Sequence, residues 1–89
     1  MSERVLKIVN EKGLHARASA KLVEVVEAHD ADATVSKDGM EVSGDSIMGL
    51  LMLAASKGST IRVETRGKAA EELALALESL VADRFGEEI

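Results

Sequence analysis

The residues whose types and spacing could do chemistry lie together in Gly13-Leu14-His15-Ala16-Arg17-Ala18-Ser19, where an extended segment gives way to a helical pattern. A histidine at or next to a helix N-cap holds its ring over backbone N–H groups that lack an intrahelical acceptor, here those of Ala16, Arg17 and Ala18. That is an anion site, and a neutral imidazole there has the free lone pair a nucleophile needs. Arg17 adds a planar cation whose fork of donors suits phosphate oxygens. The same residue types also serve elsewhere as a plain cap and a solvated cation, so from residue types alone both readings stand. A metal site is not expected, because His15 and His29 fall at opposite ends of one helix and no third ligand has suitable spacing.

The elements that must position this stretch follow from periodicity. Arg4 to Asn10 reads as a strand around Leu6 and Ile8, and Asn10-Glu11-Lys12-Gly13 as a turn. Ala16 to about His29 is an amphipathic helix, with Arg17, Lys21, Glu24 and Glu27 on its wet side and Leu22, Val23 and Val26 on its core side. Ala33 to Lys37 and Met40 to Val42 flank Asp38-Gly39, a dipeptide that supplies positive φ for a tight hairpin. Ser46 is a good N-cap for a short, almost wholly apolar helix from Ile47 to Ala55. Thr60 to Arg66 alternates cleanly, Ile61 and Val63 inward against Arg62, Glu64 and Arg66 outward. A last helix runs to about Arg84 on a stripe of Ala70, Leu73, Ala74, Leu77, Leu80 and Val81, and from Asp83 onward the chain is expected to fray as an acidic tail. The order β-α-β-β-α-β-α asks for one sheet with helices on one face; spacing alone also allows a ferredoxin-like arrangement with an added helix.

Composition narrows the function. Eighty-nine residues, 46% of them hydrophobic, make a single domain over 1–89 with one core. A net charge of −5 and a lone aromatic residue, Phe85, oppose nucleic-acid binding, since neither a cationic surface nor a stacking platform is available. Without cysteine the fold must hold by packing, as cytosolic domains do. The strongly apolar run Ile47 to Ala55 is far short of the ~20 residues a membrane span needs, and Met1-Ser2-Glu3-Arg4 lacks the apolar core of a signal peptide. A cytoplasmic chain, not inserted in a membrane, is expected.

Gly13-Leu14-His15-Ala16-Arg17, followed about thirty residues later by Gly44-Asp45-Ser46-Ile47-Met48-Gly49 and then by Lys57-Gly58, closely resembles the HPr family, the histidine-containing phosphocarrier proteins of the bacterial phosphotransferase system. The resemblance covers essentially the whole chain. It implies an α+β open-faced β-sandwich: a four-stranded antiparallel sheet of order 1-4-2-3 with three helices on one face, which displaces the ferredoxin-like alternative. It implies that His15 accepts a phosphoryl group at Nδ1 from phosphoenolpyruvate by way of enzyme I, with Arg17 and the N–H groups of Ala16, Arg17 and Ala18 holding the phosphate. An enzyme IIA protein or domain would receive it. Such a protein is a reactant without turnover of its own, a monomer, and needs no cofactor. Ser46 matches the regulatory serine that HPr kinase/phosphorylase modifies in bacteria possessing that enzyme. Partner docking is assigned to Ala20, Ile47, Met48, Leu51 and Met52; Met48 and Met52, at i and i+4, can form one soft face.

The chain departs from the family pattern in three places. His-x-Arg-Pro-Ala is usual, whereas Ala18 and Ser19 stand here, losing the proline that pre-sets φ in the first turn. Glu24 and Glu27 stand on a helix where some sugar-transport members carry lysines. Leu50-Leu51-Met52-Leu53 and the acidic tail are similar to the nitrogen-branch paralogue, NPr, so sugar transport and nitrogen-related regulation both remain open. A second reading, from the binding class, is a regulatory module that docks through the Ile47 to Leu53 patch without carrying phosphate; His15 and Arg17 together favour the carrier.

Overall fold

Alternating residues along β4 (Thr60–Arg66) bury Ile61, Val63 and Thr65 on one face and turn Arg62 and Arg66 to solvent on the other. This strand sits inside the sheet. β1 (Ser2–Lys7) pairs antiparallel with one of its edges, Leu6 opposite Ile61, and β2 (Asp32–Lys37) with the other, Val35 opposite Val63. β3 (Met40–Ser43) adds to β2 through a hairpin. The computed structural model describes all 89 residues, and its sheet order is β1-β4-β2-β3, as the resemblance implies. The hairpin turn is the predicted one: Asp38 and Gly39 both take positive φ, 51° and 85°, the pair of left-handed residues that a twisted two-residue connection requires.

Three helices, α1 (Ala16–Glu27), α2 (Ile47–Met52) and α3 (Ala70–Ala82), cover one face of the sheet. Leu22, Val23 and Val26 from α1, Leu50 from α2, and Leu73, Leu77 and Val81 from α3 join Leu6, Ile8, Val35, Ile61 and Val63 in one core cluster. The opposite sheet face carries no helix, and Val5 there is 65% exposed.

Two element boundaries differ from expectation for identifiable reasons. The first strand ends at Lys7 and not at Asn10, although Ile8 stays fully buried and exchanges hydrogen bonds with Ser59 and Gly58 (2.9 and 2.8 Å) beyond the regular ladder. α2 stops at Met52 and not at Ala55, because Ala54 takes the left-handed conformation (φ 50°) that ends helices; the chain then turns Leu53 and Ala55 into the core. Alanine hides such an ending, being the best helix former of all.

The larger correction is at the C-terminal end. The segment after α3 does not fray: Arg84–Gly86 forms a tight left-handed turn and Phe85 is fully buried in the core cluster. Arg84, Phe85 and Gly86 all have positive φ (56°, 55° and 79°), a backbone that two L-residues adopt only when their surroundings over-determine it. The aromatic ring supplies that constraint. Lys21 of α1, expected on the wet face, adds to it by donating from Nζ to the Phe85 carbonyl at 2.6 Å.

Candidate functional site

Gly13 sets the approach to the helix. Its φ is +68°, and a Cβ there would lie 2.5 Å from the Ala55 carbonyl oxygen, so only glycine fits the turn against the loop after α2. Leu14 follows, buried, its N–H donating to that same carbonyl at 2.8 Å. The next residue, His15, is the N-cap of α1 (φ −78°, ψ −177°), and its Nδ1 accepts a hydrogen bond from the N–H of Arg17 at 3.3 Å. An accepting Nδ1 bears the lone pair, so the ring proton of the neutral form is assigned to Nε2. Nε2 faces the carboxylate of Glu87.

Glu87 is the principal residue of the site that sequence reasoning missed. Its Oε1 accepts from Asn10 Nδ2 at 2.9 Å while Oε2 meets the imidazole. Asn10 is fully buried just beyond β1, and its amide also donates to the Gly13 carbonyl at 2.8 Å, tying the turn to the carboxylate. The Asn10 hydrogen bond, reinforced by contact with His15 and by the nearby charge of Lys12, holds the Glu87 carboxyl below the usual carboxylate range. The segment from Arg84 to Ile89 is thus a strap across the site. Phe85 anchors it in the core, Lys21 grips its carbonyl, and the Glu11 N–H donates to the Ile89 carbonyl at 3.0 Å. The only sequence signal was Phe85 itself, a lone aromatic in a charged segment and too apolar to leave in water.

Arg17 is exposed and its guanidinium makes neither a hydrogen bond nor an ion pair. With Lys12, His15, Ala16, Glu87 and Glu88 it lines an open cleft. The N–H groups of Ala16 and Ala18 lie in the first turn of α1, where no preceding helical carbonyl can take them. The Nδ1 lone pair, the free cation of Arg17 and the first-turn N–H groups of Ala16 and Ala18 lie at the start of α1, with Glu87 on the opposite side of the ring; the Arg17 N–H, expected to hold phosphate, is instead engaged by Nδ1 as the helix cap. The departure at Ala18-Ser19 is accommodated: both residues are fully buried, and Ser19 Oγ donates to the Leu14 carbonyl at 3.3 Å, a bond the usual alanine at that position cannot make.

A second depression adjoins the ring, lined by Lys12, Leu14, His15, Leu51 and Ala54. Leu51 of the apolar helix therefore borders the histidine. Its neighbours Met48 and Met52 are 73% and 65% exposed, Ile47 is exposed too, and Ala20 on α1 is half-buried. Ser46 caps α2 as predicted, its Oγ accepting from the Gly49 N–H at 3.0 Å.

The pattern of a family model, the PTS HPr component phosphorylation site, matches residues 2–83. The chain belongs to the HPr family. Over 87 residues it is 46% identical to the phosphocarrier protein HPr of Cupriavidus necator, covering 98% of each chain, and 36% identical to the phosphocarrier protein NPr of Escherichia coli K12, covering 97% of each. Among solved structures it superimposes on HPr-C-His from Thermoanaerobacter tengcongensis with a TM-score of 0.95 at 36% identity, all of both chains being covered. As an HPr family member the chain is a phosphocarrier working in a phosphotransferase relay, a carrier of phosphate where an enzyme would be a catalyst. No helix is long and apolar enough to cross a membrane. The match to the family model stops at residue 83, immediately before the strap.

Proposed function

We propose that His15 accepts a phosphoryl group at Nδ1 from phosphoenolpyruvate by way of enzyme I and passes it to an enzyme IIA protein or domain, in the cytoplasm and without independent turnover. One observation carries the reading: Nδ1 bears its lone pair at the start of α1, beside the unpaired guanidinium of Arg17, while Nε2 is taken by Glu87. Incoming phosphate oxygens meet Arg17 and the N–H groups of Ala16 and Ala18, which stabilise charge as it develops. Partners dock on Ile47, Met48, Leu51 and Met52, with Ala20 at the margin. The exposed methionines adapt to differently shaped surfaces, which suits a carrier that must meet both a donor and an acceptor.

The test is to incubate the protein with phosphoenolpyruvate and enzyme I of the sugar or the nitrogen branch, and to locate the acid-labile phosphate. Label on His15 is expected, and the enzyme I that gives it assigns the branch. No label from either would favour the non-carrier docking module. Arg17→Ala should slow transfer by on the order of a hundredfold without ending it, since the backbone donors remain. Rapid-quench measurement of single-turnover transfer checks this, and a wild-type rate would remove Arg17 from the site.

Ser46 is proposed as a regulatory site for HPr kinase/phosphorylase. Phosphate there adds about −1.5 to −2 charge at the start of α2, next to Ile47 and Met48, so a partner must desolvate or oppose it. Folding should not suffer, because helix N-termini favour negative charge. Ser46→Asp is expected to lower the rate of His15 phosphorylation roughly tenfold, an opposing charge contact worth about 1.4 kcal/mol, with an equal or higher melting temperature. Phosphorylation as fast as wild type would place Ser46 outside the docking face.

A further inference from the structure

An acceptor histidine must settle two questions: which ring nitrogen attacks, and where the charge it acquires is balanced. The arrangement around Nε2 answers both. When the Nδ1 lone pair bonds to phosphorus, the bond from phosphorus to the donor breaks and its electron pair leaves with the donor, here the imidazole nitrogen of a phosphohistidine protein. No proton leaves His15. The ring, neutral before, keeps its Nε2 hydrogen and now carries a positive charge shared between both nitrogens. Glu87 faces that hydrogen, its side chain 16% exposed against 27% for the imidazole, so a carboxylate lies against the charge in a partly dehydrated setting.

We infer that Glu87 is a positioning residue for the transfer: it holds the proton on Nε2, which makes Nδ1 the attacking atom, and it balances the charge of the phosphorylated ring. The inference rests on the reading of His15 as acceptor. Everything around Glu87 fixes it for the task. Asn10, fully buried, donates to Oε1 and so turns Oε2 toward the ring, while Phe85, two residues before, is locked in the core. Asn10 also holds the Gly13 carbonyl, so the turn that presents His15 and the carboxylate that orients it share one buried amide. The carboxyl is held below its usual range and is charged at neutral pH. On dephosphorylation the same charge leaves the ring in the protonated form from which phosphorus departs more readily.

The charged groups facing the ring are Lys12 from the turn after β1, Arg17 from α1, and Glu87 and Glu88 from the strap. Glu87→Gln changes only one of them and keeps the shape, but leaves a single oxygen where the carboxylate serves both Asn10 and Nε2–H; Glu87→Ala removes both charge and acceptor. Wild type and both variants are loaded with phosphoramidate, a small-molecule donor that needs no partner protein, and followed by ¹⁵N and ³¹P NMR of the His15 ring, with circular dichroism to confirm folding.

The expected result is phosphate on Nδ1 alone in wild type, with the Nε2 isomer appearing in Glu87→Ala. In the Nδ1-phosphorylated protein, both variants should lose the Nε2 proton at a pH about one unit below wild type, since a neighbouring carboxylate favours the charged ring and its removal lowers the pH at which the proton departs. Loss at the same pH in all three, with Nδ1 alone modified in Glu87→Ala, would overturn the inference. Its failure is distinguishable from that of the acceptor reading: wild type that phosphoramidate loads but phosphorylated enzyme I does not would retire the relay, while the isomer and pH shifts would still report on Glu87.

Discussion

Replacing His15 with alanine is expected to end phosphoryl acceptance while leaving the protein folded. The chain has one other histidine, His29, and it cannot substitute. It lies just beyond the far end of α1, roughly 20 Å away along the helix, and its Nδ1 is engaged with the Val25 carbonyl at 2.7 Å. Its ring is thereby tied back to its own helix. The stability cost is small because the His15 ring is partly exposed and its capping bond to the Arg17 N–H, at 3.3 Å, is worth about 1 kcal/mol. Incubation with phosphoenolpyruvate and enzyme I should leave the variant free of acid-labile phosphate, with a denaturation midpoint close to that of wild type. Undiminished labelling would mean that another residue is the acceptor.

Phe85→Ala is expected to be the most damaging single substitution for stability. The ring is the largest fully buried side chain, and truncating such a residue costs about 3 to 5 kcal/mol in lost transfer energy and cavity. Relief of the left-handed backbone at Arg84 and Phe85 returns part of this, since the constraint that maintains it is gone. A net loss of about 3 kcal/mol would lower the melting temperature by roughly 12 to 24 °C in a domain of this size. With no Trp or Tyr in the chain, circular dichroism is the natural readout. The second consequence is local: with its anchor lost the strap should swing free, and the ¹⁵N spectrum of His15 should move toward that of Glu87→Ala. A midpoint within about 1 kcal/mol of wild type would show that the strap contributes little to the core.

The two substitutions also mark the boundary of what the sequence discloses. His15 and Ser46 could be placed at helix starts, and Arg17 beside the first of them, because those placements depend on neighbours a few residues away: a helix start, its first N–H groups, a glycine turn; the roles proposed for them rest on the resemblance. Likewise β4 and the Asp38-Gly39 hairpin rest on local period and local φ. The sheet order rests on the resemblance, because pairing β1 with β4 is a choice made across more than fifty residues that no local pattern encodes. Glu87 was invisible for the same reason, in a stronger form. Acidic residues in a polar terminal segment read as solvated, and only the distant pocket that takes Phe85 converts them into part of a site. α2 failed at its end because the residue that stops it, Ala54, favours helix in every local scale.

The joining of Glu87 to His15 has a consequence for the order in which the protein is made. The two residues are 72 positions apart, so on the ribosome the histidine emerges long before the carboxylate that faces it. β1 is in the same position, its Ser2 waiting for Thr65 to be translated before it has a neighbour. A nascent chain carrying His15 therefore has an unoriented ring, an incomplete core and an unpaired strand; the strand is paired once β4 is made, the core is filled once Phe85 arrives, and the ring is oriented last, by Glu87. Completion of the site is thereby tied to completion of the fold: a chain cut short before Phe85, or trimmed back to it by a protease, would keep the residues that mark the family and lose the geometry that arms them.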